Sequence, residues 1–288
     1  MPELPEVETV RRGLQALIVG KIVRSVSHDT PKSFPNAEAD VTNFLLGSSI
    51  KAVRRRAKVL IIDLNNDYSL LIHLKMTGQL VFMGDVRFGA GHPNDSLVNA
   101  LPDKSTRASF IFDDGSQLYF NDQRKFGWIK LIPTVLIAET DFMKKVGPEP
   151  LEDSFTAKDF AERFTRRART NIKAAILDQS VVAGVGNIYA DESLWGAKIH
   201  PKRLVSSITP KEFGLLYTEL RTVMNLAIEK GGSSNHTYVN AEGKKGSYMD
   251  FARVFRREGL PCPRCGTTIE KLRVAGRGTH ICPHCQTL

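Results

Sequence analysis

The chain has no long hydrophobic run. Its most apolar stretch, near Val59 to Ile62, is the size of a strand, well short of the ~20 residues a helix needs to cross a bilayer. It has no signal-peptide pattern either, because its first charged residues are acidic. Both absences point to a cytosolic protein without a membrane partner. Cysteine is scarce: there are four in 288 residues, all from Cys262 onward. There is no internal repeat and no low-complexity tract. Negative charge is also short, with 31 Asp and Glu against 40 Lys and Arg, a net charge of +9. That excess favours an anionic partner, and nucleic acid before membrane because no basic amphipathic anchor is evident. What is present is ordinary for a globular protein, 42% hydrophobic and 25% charged, in a chain long enough for two domains.

The N-terminus reads Met1-Pro2-Glu3-Leu4-Pro5-Glu6-Val7-Glu8. Removal of Met1 would leave Pro2 with a free secondary amine. An α-amino group has a pKa of about 7.7–8.0, so roughly a tenth of it is unprotonated at neutral pH. Such an amine attacking an aldehyde carbon gives a cationic iminium, which is Schiff-base catalysis without a lysine. Glu3 and Glu6 lie close enough in sequence to move protons. The same residues also read as a helix start: Pro5 in the first turn, Glu6 and Glu8 at the positive end, and Val7, Val10, Leu14 and Leu17 as an apolar stripe. The two readings are compatible, and these residues alone favour the helix start.

Beyond this helix the pattern is β. Residues 59–64 and 68–74 predict one hairpin, 109–112 and 117–120 a second, and 126–132 a further strand, so a β-sandwich is expected. Residues 83–105 are rich in Gly, Pro, Asn and Asp and read as a long surface loop. Composition changes after Pro133, and Gly147-Pro-Glu-Pro150 looks like a linker. Helices are expected over 155–166, 171–179, 187–198 and 210–230, with a mobile loop over 235–249. Basic residues cluster one-sidedly at Arg163, Arg166, Arg167, Arg169 and Lys173, and again from Arg256 to the end.

Cys262, Cys265, Cys282 and Cys285 form C-x2-C-x16-C-x2-C. Two such knuckles complete a closed tetrahedral site, so one structural zinc ion is expected. Two disulfides are disfavoured in a cytosolic chain. His280 and His284 are alternative ligands of lower weight. Between the knuckles, residues 272–280 suggest a hairpin with Arg277 near its tip.

Taken together the residues resemble the formamidopyrimidine-DNA glycosylase family. The motifs run through the whole chain: Pro2-Glu-Leu-Pro-Glu-Val-Glu-Thr9, Arg55-Arg-Ala-Lys58, His73-Leu-Lys-Met-Thr-Gly78, Arg124-Lys-Phe-Gly127, Gly147-Pro-Glu-Pro-Leu151, Gly184-Val-Gly-Asn-Ile-Tyr-Ala190 and the four cysteines. The resemblance implies an α+β fold of two domains. Residues 1–133 would be a catalytic β-sandwich flanked by helices, 134–152 a linker, 153–255 a helix-two-turn-helix domain and 256–288 a zinc finger, with DNA in the cleft between the halves. It implies a monomeric enzyme that acts on double-stranded DNA containing an oxidised base or an abasic site. Pro2 would be the nucleophile, Glu3 would serve proton transfer, Glu6 would support the opened sugar, and Lys58 would contact phosphate or lesion. Met76, Arg124 and Phe126 match the residues that fill the gap left by an extruded base. Asn187, His73, Arg277 and Arg169 would contact phosphates, Asn187 from a helix start where it would also serve as N-cap.

The chain departs from the family pattern at Gln123, where proline is frequent, and in the length of residues 83–105. Leu4 favours oxidised purines, 8-oxoguanine and formamidopyrimidines, because the related endonuclease VIII branch, which prefers oxidised pyrimidines, usually has Gly there. That branch and a non-catalytic zinc protein recognising damaged DNA remain the alternatives.

Overall fold

The computed structural model describes residues 1–233 and 247–288. The chain divides into two compact units. One comprises Met1–Lys144 with Ile228–Tyr248, the other Lys145–Ala227 with Met249–Leu288.

The first unit begins with α1 (Leu4–Ile18). Its start is set by reciprocal carboxylates: Glu3 occupies the N-cap, and Glu6, at the third helical position, accepts the Glu3 backbone N–H at 2.8 Å. Pro5 needs no hydrogen-bond partner there because it has no N–H to satisfy. Val7, Val10, Leu14 and Ile18 form the buried face, a spacing that suits a helix lying on a core.

The strands follow: β1 (Val23–His28), then α2 (Glu38–Phe44), β2 (Ile50–Arg56), β3 (Val59–Leu64), β4 (Tyr68–His73), β5 (Gly78–Met83), β6 (Arg87–Gly91), β7 (Thr106–Phe112), β8 (Gln117–Asp122) and β9 (Trp128–Pro133). They make two antiparallel sheets, ordered β1-β7-β8-β5-β6 and β2-β3-β4-β9. Leu60, Ile62, Leu70 and Ile72 from the second sheet share one core with Leu80, Phe82, Phe110 and Phe120 from the first and with the buried face of α1. The expected sandwich and both hairpins are present.

Residues 83–105 are a surface loop only in their second part. Their first part is β6, paired with β5, and Leu97 packs with Val81 and Tyr119 on the outer face of the sheet. The glycines that suggested a loop are there for close approach. A Cβ on Gly91 would meet the Gly78 carbonyl oxygen at 2.5 Å, in a backbone with φ +125°. Nor do residues 134–144 run free: Ile137, Phe142 and Met143 cover Val59, Ile61 and Leu71, which explains why β3 is buried on both faces. The strands β1 and β2 and the helix α2 were not foreseen, because β2 carries Lys51, Arg54, Arg55 and Arg56 and shows no dense apolar alternation.

The helix α3 (Asp141–Lys145) closes the first stretch of the first unit, and in the second unit Gly147 N donates to Gln179 O at 2.7 Å and Ala183 N to Pro148 O at 2.9 Å. The supposed linker at 147–150 therefore packs on the 179–183 loop. Then come α4 (Ala157–Phe164), α5 (Ile172–Leu177), α6 (Asn187–Gly196), α7 (Pro210–Glu229), β10 (Glu270–Val274) and β11 (Arg277–Ile281). Thr156 and Asp159 form a capping box on α4, and Asn171 caps α5 by accepting from Ala174 N at 2.8 Å. Both helices are shorter than expected, because 165–167 tightens into a 3-10 turn and Asp178 leaves the helix in an extended conformation. α6 is buried almost all round, including Asp191 and Glu192, which marks it as the central element of this unit. The expected loop at 235–249 lies mostly outside the described residues; Tyr248–Phe251 is a 3-10 turn.

Leu14 is fully buried between α1 and the sandwich. Leu14→Ala is expected to cost ~2–5 kcal/mol, measured as a shift of the urea midpoint at unchanged slope.

Candidate functional site

At the start of α1, Pro2, Glu3 and Glu6 are all buried. Glu6 Oε2 accepts the Glu3 N–H, and its Oε1 accepts the Ser233 N–H at 2.8 Å. Gly232 has φ +89°, and a Cβ there would meet Glu6 Cγ at 3.1 Å. The Glu6 carboxylate thus ties the helix start to a segment more than two hundred residues away in sequence. In the described chain Met1 precedes Pro2, so the Pro2 nitrogen is an amide until Met1 is removed.

Lys58 occupies the tight connection from β2 to β3, after Ala57 at φ +52°. It is only 5% exposed, which rules out a solvated lysine at a strand edge. Arg55 organises this turn, donating from Nη1 to Ala57 O at 3.0 Å and from Nε to Glu8 at 3.1 Å. Burial alone would raise the Glu8 pKa. Hydrogen bonds from Arg11 and Arg12, with the charges of Arg11 and Arg55, outweigh it and hold the carboxyl below its ordinary value. Glu8 is more than a helix-end charge: it links α1 to the turn that presents Lys58.

His73 ends β4, directly opposite Val59 in the register. It is buried beside the rings of Trp128 and Phe142, both 5.7 Å away. Its Nδ1 accepts the Lys75 N–H at 3.0 Å, which leaves the proton of the neutral ring on Nε2. Burial pushes its pKa down to about 3, and the charges of Lys75 and Lys58 push the same way. Any contact it makes to phosphate is that of a neutral donor.

Met76 is half-buried in the turn of residues 74–78, whereas Arg124 and Phe126 are exposed in the turn of residues 123–127. Phe126 is 45% exposed, so core packing does not account for it. The Arg124 guanidinium lies 4.7 Å from the Phe126 ring centre, and the Lys32 ammonium 5.6 Å.

In the second unit Asn187 is the first residue of α6, but the N-cap is Gly186. The expected N-cap role of Asn187 is therefore corrected: its Nδ2 instead donates to Gly278 O at 2.9 Å. That bond sets it beside Arg277, which is exposed at the start of β11. Arg169 is exposed as well. Lys173 does not belong to the basic surface. It is fully buried, and its Nζ bonds Asp191 Oδ1 at 2.6 Å and Thr279 Oγ1 at 2.7 Å. Asp191 Oδ2 in turn accepts the His280 N–H at 2.9 Å. One step along α6, Glu192 accepts the backbone N–H groups of Arg253, Val254 and Phe255. Arg264 stacks 3.9 Å from the Trp195 ring centre and donates to the Trp195 and Gly196 carbonyls at the helix end. The whole cysteine module is thus mounted along α6.

The four cysteine sulfurs lie within 4.8 Å of one another. Cys265 Sγ is 3.4 Å from Cys282 Sγ and 3.5 Å from Cys285 Sγ, too far for a disulfide at ~2.05 Å. A zinc tetrathiolate with bonds of ~2.3 Å has sulfur–sulfur edges of about 3.8 Å, so the set fits one ion. Burial pushes the Cys282 thiol up to about 12, and a bound cation is what would hold it as thiolate at neutral pH. His280 is turned to Asp191 and His284 is exposed.

Comparison with known proteins agrees with this arrangement. The profile described as formamidopyrimidine-DNA glycosylase N-terminal domain matches residues 1–129, the family's H2TH domain residues 146–239, and the zinc finger found in FPG and IleRS residues 259–288. The formamidopyrimidine-DNA glycosylase of Listeria innocua is 43% identical, over 99% of this chain and 100% of its own. Among solved structures, a point mutant of the Lactococcus lactis FPG in complex with Fapy-dG containing DNA superposes with a TM-score of 0.88 at 36% identity, covering 100% of both chains. MutM in complex with DNA containing carbocyclic 8-oxo-G gives a TM-score of 0.86, also at 36% identity and full coverage. A two-sheet unit, a helical unit and a four-cysteine finger define the class as zinc-finger DNA glycosylases of mixed helix and sheet. The chain belongs to the formamidopyrimidine-DNA glycosylase family. No helix among the described residues is long and apolar enough to cross a membrane.

Two expectations follow. With a folded pKa of about 3 against an ordinary 6.5, His73 binds its proton in the unfolded chain first. Its contribution to stability is intact above pH 6.5 and is lost as pH falls toward 3, by at most ~1.4 kcal/mol per pH unit. Chemical denaturation across this range should show a steeper acid loss for wild type than for His73→Asn. Separately, Cys282→Ser should release one equivalent of zinc and weaken DNA binding, because the hairpin carrying Arg277 loses its frame. Metal analysis and a binding titration check both.

Proposed function

We propose that Pro2, once Met1 is removed, is the nucleophile of a bifunctional DNA glycosylase and abasic-site lyase that excises 8-oxoguanine and formamidopyrimidines from duplex DNA. The enzyme class follows from the family. The observation that carries the residue assignment is the buried cluster at the start of α1, where Glu6 bonds both Glu3 N and Ser233 N around the Pro2 position.

The base leaves C1′ of the deoxyribose as the Pro2 nitrogen bonds to that carbon. Glu3 moves the protons that accompany base release and ring opening, and the opened sugar is held as an iminium. The iminium acidifies the C2′ hydrogen. β-Elimination then breaks the C3′–O bond, δ-elimination breaks the C5′–O bond, and water hydrolyses the Schiff base to return the amine. Glu6 keeps the helix start in place beside the opened sugar. Lys58, buried just before the β3 residue that faces His73, contacts phosphate or lesion. None of these steps uses a catalytic metal, and the zinc supplies a frame when bound: it fixes the finger that carries Arg277.

Extruding a base costs a few kcal/mol in stacking and pairing. Met76, Arg124 and Phe126 offset part of it by filling the space, as a flexible thioether, a guanidinium fork and a ring. Asn187, Arg277, Arg169 and His73 hold phosphates. We assign the action to the bacterial cytosol, at the nucleoid, with the protein as a monomer. The domain limits 1–133, 153–255 and 256–288 remain our reading of where the catalytic, helical and zinc functions divide.

Borohydride should trap one protein–DNA adduct on 8-oxoguanine DNA, with the cross-linked peptide beginning at Pro2. An adduct mapping to a lysine would overturn the assignment. Retention of Met1 should abolish trapping and leave binding to uncleavable abasic-site DNA within about threefold of wild type, since it masks only the amine.

A further inference from the structure

One fully buried carboxylate in the first unit has no part in the chemistry above, yet sits beneath the residues assigned to gap filling. Asp122 is 0% exposed at the end of β8 and pairs in register with Gly78, the first residue of β5. Its Oδ2 accepts the backbone N–H groups of Phe126 at 2.8 Å and Gly127 at 2.6 Å. Its Oδ1 accepts the Arg124 N–H at 3.2 Å and the Thr77 hydroxyl. Thr77 Oγ1 also accepts the Arg124 N–H, at 3.1 Å. A carboxylate has about four acceptor positions, and all four are in use.

These bonds join two separate turns. Residues 74–78 carry Met76, and residues 123–127 carry Arg124 and Phe126. Each turn includes a non-glycine residue in the left-handed region, Lys75 at φ +49° and Lys125 at φ +55°. Such conformations persist only where surrounding bonds over-determine them. The Asp122 backbone is fixed as well: its N–H donates to Ser105 O at 2.7 Å, and its carbonyl accepts Arg107 Nε at 2.8 Å. The 123–127 turn buries no large side chain of its own, and in the 74–78 turn only Leu74, at its first position, reaches the core. Arg124 and Phe126 are exposed and Met76 is half-buried.

We propose that Asp122 is a positioning residue, which with Thr77 holds the Met76 turn and the Arg124–Phe126 turn together as a single wedge, so that base extrusion depends on it and cleavage at an existing abasic site does not. The proposal rests on the gap-filling role given above to Met76, Arg124 and Phe126.

The geometry names its own variants. Asp122→Asn keeps the size of the side chain but turns one acceptor oxygen into a donor, which must face either Phe126 and Gly127 N–H or Thr77 and Arg124 N–H. Thr77→Val removes the bridging hydroxyl at nearly constant volume, and Thr77→Ser keeps it. Single-turnover rates on an 8-oxoguanine duplex and on a preformed abasic-site duplex should be measured for these three and for Phe126→Ala, with thermal unfolding of each. Asp122→Asn and Thr77→Val are expected to slow 8-oxoguanine excision by about tenfold or more, the scale of losing one or two charge-assisted hydrogen bonds from a preorganised site. Cleavage of the abasic site should stay within about threefold, because the extrusion cost is smaller there. Thr77→Ser should restore the wild-type ratio.

Equal slowing of both substrates in Asp122→Asn and Thr77→Val, or wild-type excision in both, would overturn the proposal provided Phe126→Ala shows the substrate split. If Phe126→Ala shows no split, it is the gap-filling reading that fails, and the proposal with it. If Asp122→Asn does not fold, the Thr77 pair decides the matter by the same criteria.

Discussion

The structure depends on one recurring interaction, a buried carboxylate that accepts backbone N–H groups from a turn too short to hold itself. Glu6 takes Glu3 N and Ser233 N. Asp122 takes the amides of Arg124, Phe126 and Gly127. Glu192 takes those of 253–255, and Asp191 takes that of His280 while balancing Lys173. Charge-assisted bonds of this kind are stronger than neutral ones, and a carboxylate can serve several donors at once. Each such group costs a great deal to bury alone and becomes tolerable only when saturated. The arrangement is therefore close to all-or-none: removing one acceptor leaves several amides buried without partners. At the 123–127 turn it fixes the backbone while Arg124 and Phe126 stay exposed.

Those same bonds mark the limit of what the sequence revealed. Local patterns were legible. The stripe on α1, the alternation in β3 and β4, and the C-x2-C knuckles declare themselves within a few neighbouring residues. The family motifs then pointed to Pro2, Lys58 and the turns of residues 74–78 and 123–127. Partnerships across the chain were hidden. Lys173 reads as one more basic residue until Asp191 and Thr279, 106 positions on, close over it. Glu6 reads as a helix-end charge until Ser233, 227 positions on, is found bonded to it. Asp122 showed no signal except that it precedes the Arg124 motif. The strand β6 was hidden for a different reason: its glycines answer to the close passage of β5, a constraint visible only once the sheet is assembled.

Lys58 and His73 share one buried neighbourhood. Both are buried at adjoining strand ends. The imidazole gives up its proton, pressed down by burial and by the neighbouring lysines. The imidazole therefore stays neutral across the physiological range beside a buried lysine.

The stacking of Arg124 and Lys32 on Phe126 bears on which surfaces the 123–127 turn attracts. The Phe126 ring is left 45% exposed. Two cations over that ring make any approaching second copy bring like charge against like charge, while a polyanion meets attraction. The two cations thus add positive charge over the ring that the turn leaves exposed.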